Sequence, residues 1–284
     1  MRKPIDLIHQ ATVDGAHPKL NERVIFASPE LQHLLTSVTM PGDWRYMDVP
    51  CTAVVGVQNP QRGAPPEPFN WRQAALCLHG DGWGLGAIRY LEGPLRCLAM
   101  PEAPGAKRAL KLTSYAGAVI CSNGAHRLAA AIPWQLRPGA SGLLQMAATH
   151  ERPELAGRVA AILAYAGDGA LEFVQLHAPA QLDQLATLAD AQCDLAVRLC
   201  GGSQESLLAL PTDGGPAIEV RPRSGWQRLL ANKKADEARD TGWFDWRLLP
   251  HELLVAWRGR GWLQSSRAGS ELLGDTEPHG PLMA

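Results

Sequence analysis

Apolar and polar positions group into short runs, broken at close intervals by Gly, Pro, Asn and Asp. Ser28-Pro29-Glu30 opens a helix over residues 28–37, with Ser28 as cap and Pro29 at the first helical position. Residues 48–57, DVPCTAVVGV, are rich in β-branched side chains and bounded by turn residues, the pattern of one strand. After the Pro-rich loop NPQRGAPPEPFN, Asn70 caps a helix over 70–78. That helix runs into HGDGWGLGAIRYLEG, whose glycines predict a loop or hairpin. Residues 110–122 hold one or two strands, 126–132 a helix closed by Pro133, and 143–148 a further strand.

Past residue 150 the texture changes. Leu155, Val159, Ile162 and Leu163 share one helical face within residues 153–165, and Gly167 and Gly169 end that helix. LEFVQLH reads as a strand, AQLDQLATLADAQ as a helix, and DLAVRLC and AIEVR as strands. From about Ser224 the tail mixes helix-like runs with tryptophans. The expectation is an α/β protein of two lobes, residues 1–150 and a smaller α/β unit over 151–284 with a Trp-rich tail.

Composition narrows the function classes. The net charge of −1 excludes a chain-wide polyanion binder and leaves only local patches. No apolar run is long enough for a membrane span or a secretory leader, so a cytoplasmic protein without membrane contact is expected. The six cysteines form no CxxC pair and read as reduced, mostly buried thiols, with no structural metal. GDGWGLG echoes a dinucleotide fingerprint, but the preceding segment is helical where that motif needs a strand. His79, Asp81 and His126 could form a metal site only by tertiary coincidence. Gly201-Gly202-Ser203 lacks a P-loop lysine and reads as a turn.

The stretch VICSNGAHRLAAAIPW, residues 119–134, holds the most chemistry. Gly124 permits a tight turn after a strand, and the next backbone amides precede the first helical hydrogen bond. Such a helix start attracts anions. Arg127 adds a planar fork suited to phosphate, and His126 a proton donor or acceptor. The plainer reading is equally open: Asn123 as an ordinary cap, His126 bonded to a carbonyl, Arg127 on a solvated face.

Residues 119–131, VICSNGAHRLAAA, resemble the second box of ParB/sulfiredoxin-like domains, where a strand enters a glycine turn, a basic pair and a Leu-x-Ala-Ala helix. VVGVQNPQR, residues 54–62, is similar to the family's early strand with its Asn-Pro-x-Arg motif, and LLQMAA matches a later strand. The resemblance spans about residues 45–150. It implies a ParB/sulfiredoxin-like N-terminal lobe with a loop insertion. It also implies a nucleotide or phosphate site at Asn123, Gly124, His126 and Arg127, with Arg62 as a further ligand or supporting residue. The candidate cofactor is a nucleoside triphosphate with Mg²⁺. Ala125 stands where the sulfiredoxin pattern has cysteine, so thiol-based reduction is not expected. The Glu-Arg-Arg run of partition proteins is also absent.

Two functions follow. The first is a bacterial-type, ParB-like protein that binds a nucleotide or nucleic acid, with nuclease or phosphotransfer activity in which Arg127 neutralises phosphate charge and His126 moves a proton. The second is a non-enzymatic interaction protein. Residues 221–267 carry ten Lys+Arg against five Asp+Glu, interleaved with Trp226, Trp243, Trp246, Trp257 and Trp262. Such a tail binds a protein partner or single-stranded nucleic acid, or else packs as a small core.

Overall fold

The computed structural model describes residues 3–59, 67–79, 83–95, 109–176, 192–200, 206–220 and 246–274. The protein is mixed α/β and divides into two compact units. The first comprises Met1–Ser28, Pro41–Pro153 and Val255–Ala284; the second comprises Pro29–Met40 and Glu154–Leu254. Each unit thus takes a segment from the other half of the sequence.

The first unit is built on a seven-stranded mixed sheet in the order β1-β3-β5-β4-β6-β2-β12. Its strands are β1 (Ile25–Phe26), β2 (Asp43–Pro50), β3 (Val54–Val57), β4 (Lys111–Tyr115), β5 (Ala118–Asn123), β6 (Leu143–Arg152) and β12 (Glu271–Gly274). β1, β3 and β5 run parallel, and β5 returns from β4 as its antiparallel neighbour. One face is covered by helices α1 (Pro4–Asp14), α3 (Trp71–Leu76), α4 (Leu85–Glu92) and α5 (Ala125–Gln135). There Ile8, Trp71, Leu91, Leu128 and Ile132 bury against Met47, Leu112, Val119 and Ala147.

Local chemistry explains the elements. Asn70 accepts the Gln73 amide while Gln73 Oε1 accepts the Asn70 amide, a reciprocal cap that stabilises α3 by about 1 kcal/mol. Arg72 then reaches back and donates to the carbonyls of Thr12 and Gly15, satisfying acceptors that the end of α1 leaves open.

Residues 48–57 are not one strand. Pro50 ends β2, a 3₁₀ turn over Cys51–Ala53 follows, and β3 resumes between different neighbours. β2 alternates between buried and partly exposed positions and β3 is buried throughout, and the three-residue turn between them has no glycine to mark it. The glycine-rich stretch is not a loop throughout. α4 starts within it, capped at Gly84, and α3 precedes it, so no strand leads into these glycines. Pro133 does not close α5, which runs on to Gln135. It forfeits one backbone bond, and the Leu136 amide still reaches Ile132 O at 3.0 Å. β6 extends to Arg152, beyond the expected 148.

The second unit holds an antiparallel sheet, β10-β9-β8-β7-β11. Its strands are β7 (Leu171–Gln175), β8 (Cys193–Leu199), β9 (Leu207–Pro211), β10 (Ile218–Val220) and β11 (Arg247–Leu248). α2 (Pro29–Ser37) and α6 (Arg158–Ala166) belong with it. α6 begins at Arg158, later than the sequence pattern suggests, because Gly157 adopts a left-handed conformation and starts the helix there. The expected helix AQLDQLATLADAQ and the Gly201-Gly202-Ser203 turn lie outside the described residues. α7 (His251–Arg258) spans the boundary at 254/255, and α8 (Trp262–Ala268) belongs to the first unit.

Candidate functional site

β5 ends at Asn123, Gly124 turns the chain at φ 94°, and α5 starts at Ala125. A Cβ on Gly124 would lie 2.8 Å from Arg127 Nη2 and 2.9 Å from Leu110 Cδ1, so both the dihedral and the space demand glycine. The first helical bond within α5 runs from the Leu128 amide to Gly124 O at 3.0 Å. The amides of Ala125, His126 and Arg127 therefore have no acceptor inside the helix.

Gly124, the N-cap residue, has no side chain to cap this end. Asn123 turns away and donates from Nδ2 to Ala109 O at 2.7 Å, so the ordinary-cap reading is not realised. Asn123 braces the segment before β4. His126 is exposed in the first turn.

Arg127 does not lie on a solvated face. It is 6% exposed and tucked beneath the glycine. Nη1 donates to Tyr90 Oη at 3.3 Å, and the guanidinium sits 5.9 Å from that ring's centroid. No carboxylate pairs with it among the described residues. Burial pushes the Tyr90 hydroxyl upward, partly offset by the Arg127 charge. Cys121, whose thiol donates to Asn123 O at 3.2 Å, is pushed up to about 12 by burial against the same opposing charge. It remains a neutral thiol at physiological pH. Tyr90 was missed at the sequence level, because nothing in GAIRYLEG points to a residue 37 positions further on.

The fold brings the two motif strands together. β3 and β5 are parallel neighbours, with Val57 opposite Cys121 and the Gln58 amide donating to Cys121 O at 2.8 Å. Asn59 therefore leaves the sheet at the same carboxyl end as Asn123-Gly124, the end where open α/β sheets take ligands. Pro60 and Arg62 lie outside the described residues. Beside the turn is a small apolar recess of about 10 Å³ lined by Val57, Phe69, Trp71, Ala125 and Ala129. Trp71 Nε1 is buried without a hydrogen-bond partner.

Other candidates do not assemble. His79 is exposed, with Nδ1 2.8 Å from Cys77 O, and Asp81 lies outside the described residues. Among the described residues no three His, Cys, Asp or Glu side chains are grouped to hold a metal.

Three of the five tail tryptophans are described, and all three pack inward. Trp257 is fully buried and donates to Tyr115 O at 2.9 Å; Trp262 packs on the first unit's core and donates to Gly117 O at 3.2 Å. Trp246 is half-buried under the Arg198 guanidinium at 4.0 Å. Trp226 and Trp243 lie outside the described residues. The packed-core reading of the tail holds for these three. No described helix is long and apolar enough to cross a membrane.

The chain matches no family model, no curated protein and no solved structure.

Proposed function

We propose that the first unit binds the phosphate of a nucleotide or nucleic acid at the Gly124–Arg127 turn, in a domain of the ParB/sulfiredoxin-like type. The observation that carries this reading is Arg127, a nine-tenths buried guanidinium with a neutral hydroxyl as its hydrogen-bond partner, beneath a helix start whose N-cap is Gly124. A buried charge without a counter-ion is costly, and a bound anion relieves that cost. Oxygens placed over the turn would lie at the positive end of the α5 helix dipole, beside the Arg127 guanidinium. The convergence of VVGVQN and VICSNG at one sheet end supports the family reading.

The chemistry available is phosphoryl hydrolysis or transfer. Arg127 and the amides would neutralise charge developing on phosphate. His126, exposed beside them, would give or take the proton of water or the leaving group. A nucleoside triphosphate with Mg²⁺ is the candidate ligand. Thiol chemistry is disfavoured, since Ala125 occupies the nearest position and Cys121 is buried with its thiol held protonated.

The test is a thermal-shift panel of nucleoside triphosphates, nucleoside diphosphates and short DNA, each with and without Mg²⁺. Wild type is compared with His126→Ala and Arg127→Met. Ligand at about a hundred times its Kd stabilises by about 2.7 kcal/mol, a shift of roughly 5 °C or more. Loss of that shift in Arg127→Met, with His126→Ala retaining binding but not turnover, is expected. Absence of any shift in a folded wild type would refute the proposal.

A further inference from the structure

The start of helix α5 has a second side. Ala125 and Arg127 are two residues apart, about 200° around the helix axis, so their side chains leave it in different directions. On the Ala125 side lies the small recess beside the turn, with Ala125 and Ala129, about one turn apart, in its wall. Trp71, the first residue of α3, also lines it. The reciprocal Asn70–Gln73 cap fixes the start of α3, and the Trp71 amide donates to Glu22 O at 3.3 Å.

The indole N–H is the anomaly. Buried tryptophan N–H groups ordinarily find an acceptor. Trp71 is 1% exposed, and its Nε1 has none. An unmet buried donor carries a desolvation penalty that a bound acceptor removes. The other described residues lining the recess have no polar side-chain atom, and its volume of about 10 Å³ admits about one water-sized group. These two facts select the occupant. Water needs several polar partners, and one donor does not supply them. A phosphate oxygen would bring charge between apolar walls without a cation. A hydroxyl would leave its own proton unmet. A carbonyl oxygen accepts, donates nothing and carries no net charge.

We infer that the recess seats a carbonyl oxygen of the base of the nucleotide bound at the Gly124–Arg127 turn, with Trp71 Nε1 as its donor. The inference rests on the phosphate reading of that turn. A nucleotide carries phosphate and base at opposite ends, so one ligand can meet Arg127 on one side of the helix start and Trp71 on the other. Uracil, cytosine and guanine each present a carbonyl oxygen that stands clear of the ring. Adenine has none, and its acceptor nitrogens lie within the rings, which a recess of this volume does not admit. The site therefore prefers UTP, CTP and GTP to ATP.

The experiment is NMR of the full chain labelled with ¹⁵N-tryptophan. The Trp71 indole signal is assigned on the wild type, so the readout stands even if a variant does not fold. UTP, CTP or GTP with Mg²⁺ should move that signal downfield, as a new hydrogen bond requires, and ATP should bind without moving it. UTP is expected to bind about tenfold more tightly than ATP, and Trp71→Phe, which keeps a ring and loses the donor, to bind the two equally. A Trp71 signal that stays in place while UTP and GTP bind would overturn the inference and leave the phosphate site standing. So would a signal moved equally by ATP. No binding by any triphosphate would refute both.

Discussion

Helix α5 in the first unit and helix α6 in the second begin alike. Each starts on a left-handed glycine, Gly124 at φ 94° and Gly157 at φ 69°, which offers no side-chain cap of its own; in α6 the Glu154 carboxylate accepts the Ala160 amide at 2.7 Å. Each buries an arginine in its first turn, Arg127 at 6% exposure and Arg158 at 2%. Each arginine lies near a buried cysteine, Cys121 and Cys193. The guanidiniums end differently. Arg158 donates from Nε to Gly215 O at 2.9 Å and from its two terminal nitrogens to the carbonyls of Ser37 and Pro211. Arg127 has the Tyr90 hydroxyl. Burial therefore does not distinguish the two arginines. The acceptors each already has do.

The largest expected effect breaks the comparison at its structural arm. Arg158→Met strands three carbonyls that one side chain joins across α2, β9 and the loop after it. Each stranded acceptor carries about 1–3 kcal/mol, and loss of the group should destabilise the second unit by about 3–5 kcal/mol. Arg127→Met removes a guanidinium with one neutral partner and should cost under about 1 kcal/mol in the ligand-free protein. Urea unfolding of both variants measures the contrast. Equal losses would place Arg127 among the structural arginines.

The glycines sharpen the same contrast at smaller scale. Gly157→Ala meets nothing within 4 Å and carries only the left-handed penalty, about 1 kcal/mol. Gly124→Ala carries that penalty and drives a methyl against Arg127 and Leu110, about 2–3 kcal/mol in all. Only the second substitution should also abolish nucleotide-induced stabilisation, because the side chain it displaces is Arg127. Calorimetric melting with and without nucleotide reads both effects.

The paired cysteines give each unit its own pH signature. Burial lifts Cys121 to about 12 and Cys193 to about 11, from an ordinary value near 9. For Cys193 the carboxylates of Asp194 and Asp213 add to burial and Arg158 opposes it. A raised thiol pKa means the folded state keeps the proton longer than the unfolded state. The stability contributed is complete below about pH 9 and is lost as pH rises toward the folded value, at up to about 1.4 kcal/mol per pH unit for each thiol. Urea midpoints at about pH 8 and pH 10 should fall less steeply in Cys121→Ala than in wild type. An identical fall in both would show that Cys121 ionises in the folded protein as readily as in the unfolded one.

Local rules wrote much of this fold into the sequence. Asn70 with Gln73, Pro29 after Ser28, and Gly167 after Tyr165-Ala166 mark helix ends through chemistry that acts over a few residues. The β5–Gly124–α5 turn was legible for the same reason. Long-range partners were not. Nothing near Arg127 names Tyr90, and nothing near Arg158 names the carbonyls of Ser37 and Pro211. Nor does either half reveal that residues 29–40 and 255–284 exchange between units. The 3₁₀ turn at Cys51 was hidden because it spans only three residues, without a glycine, between the alternating β2 and the wholly buried β3.

The smallest expected effect tests the comparison most directly. Tyr90→Phe deletes the hydroxyl and keeps the ring against which the guanidinium lies. If that bond at 3.3 Å held Arg127 as the three carbonyls hold Arg158, its loss would carry a comparable penalty. A long bond to a neutral group should instead cost about 0.5–1 kcal/mol. Nucleotide-induced stabilisation should persist in Tyr90→Phe, since the fork facing the turn remains, and should vanish in Arg127→Met. Loss of nucleotide response in a folded Tyr90→Phe would mean that the hydroxyl fixes the guanidinium's aim. Tyr90 and Arg127 would then have to be treated as one binding unit, with α4 as much a part of the site as the turn itself.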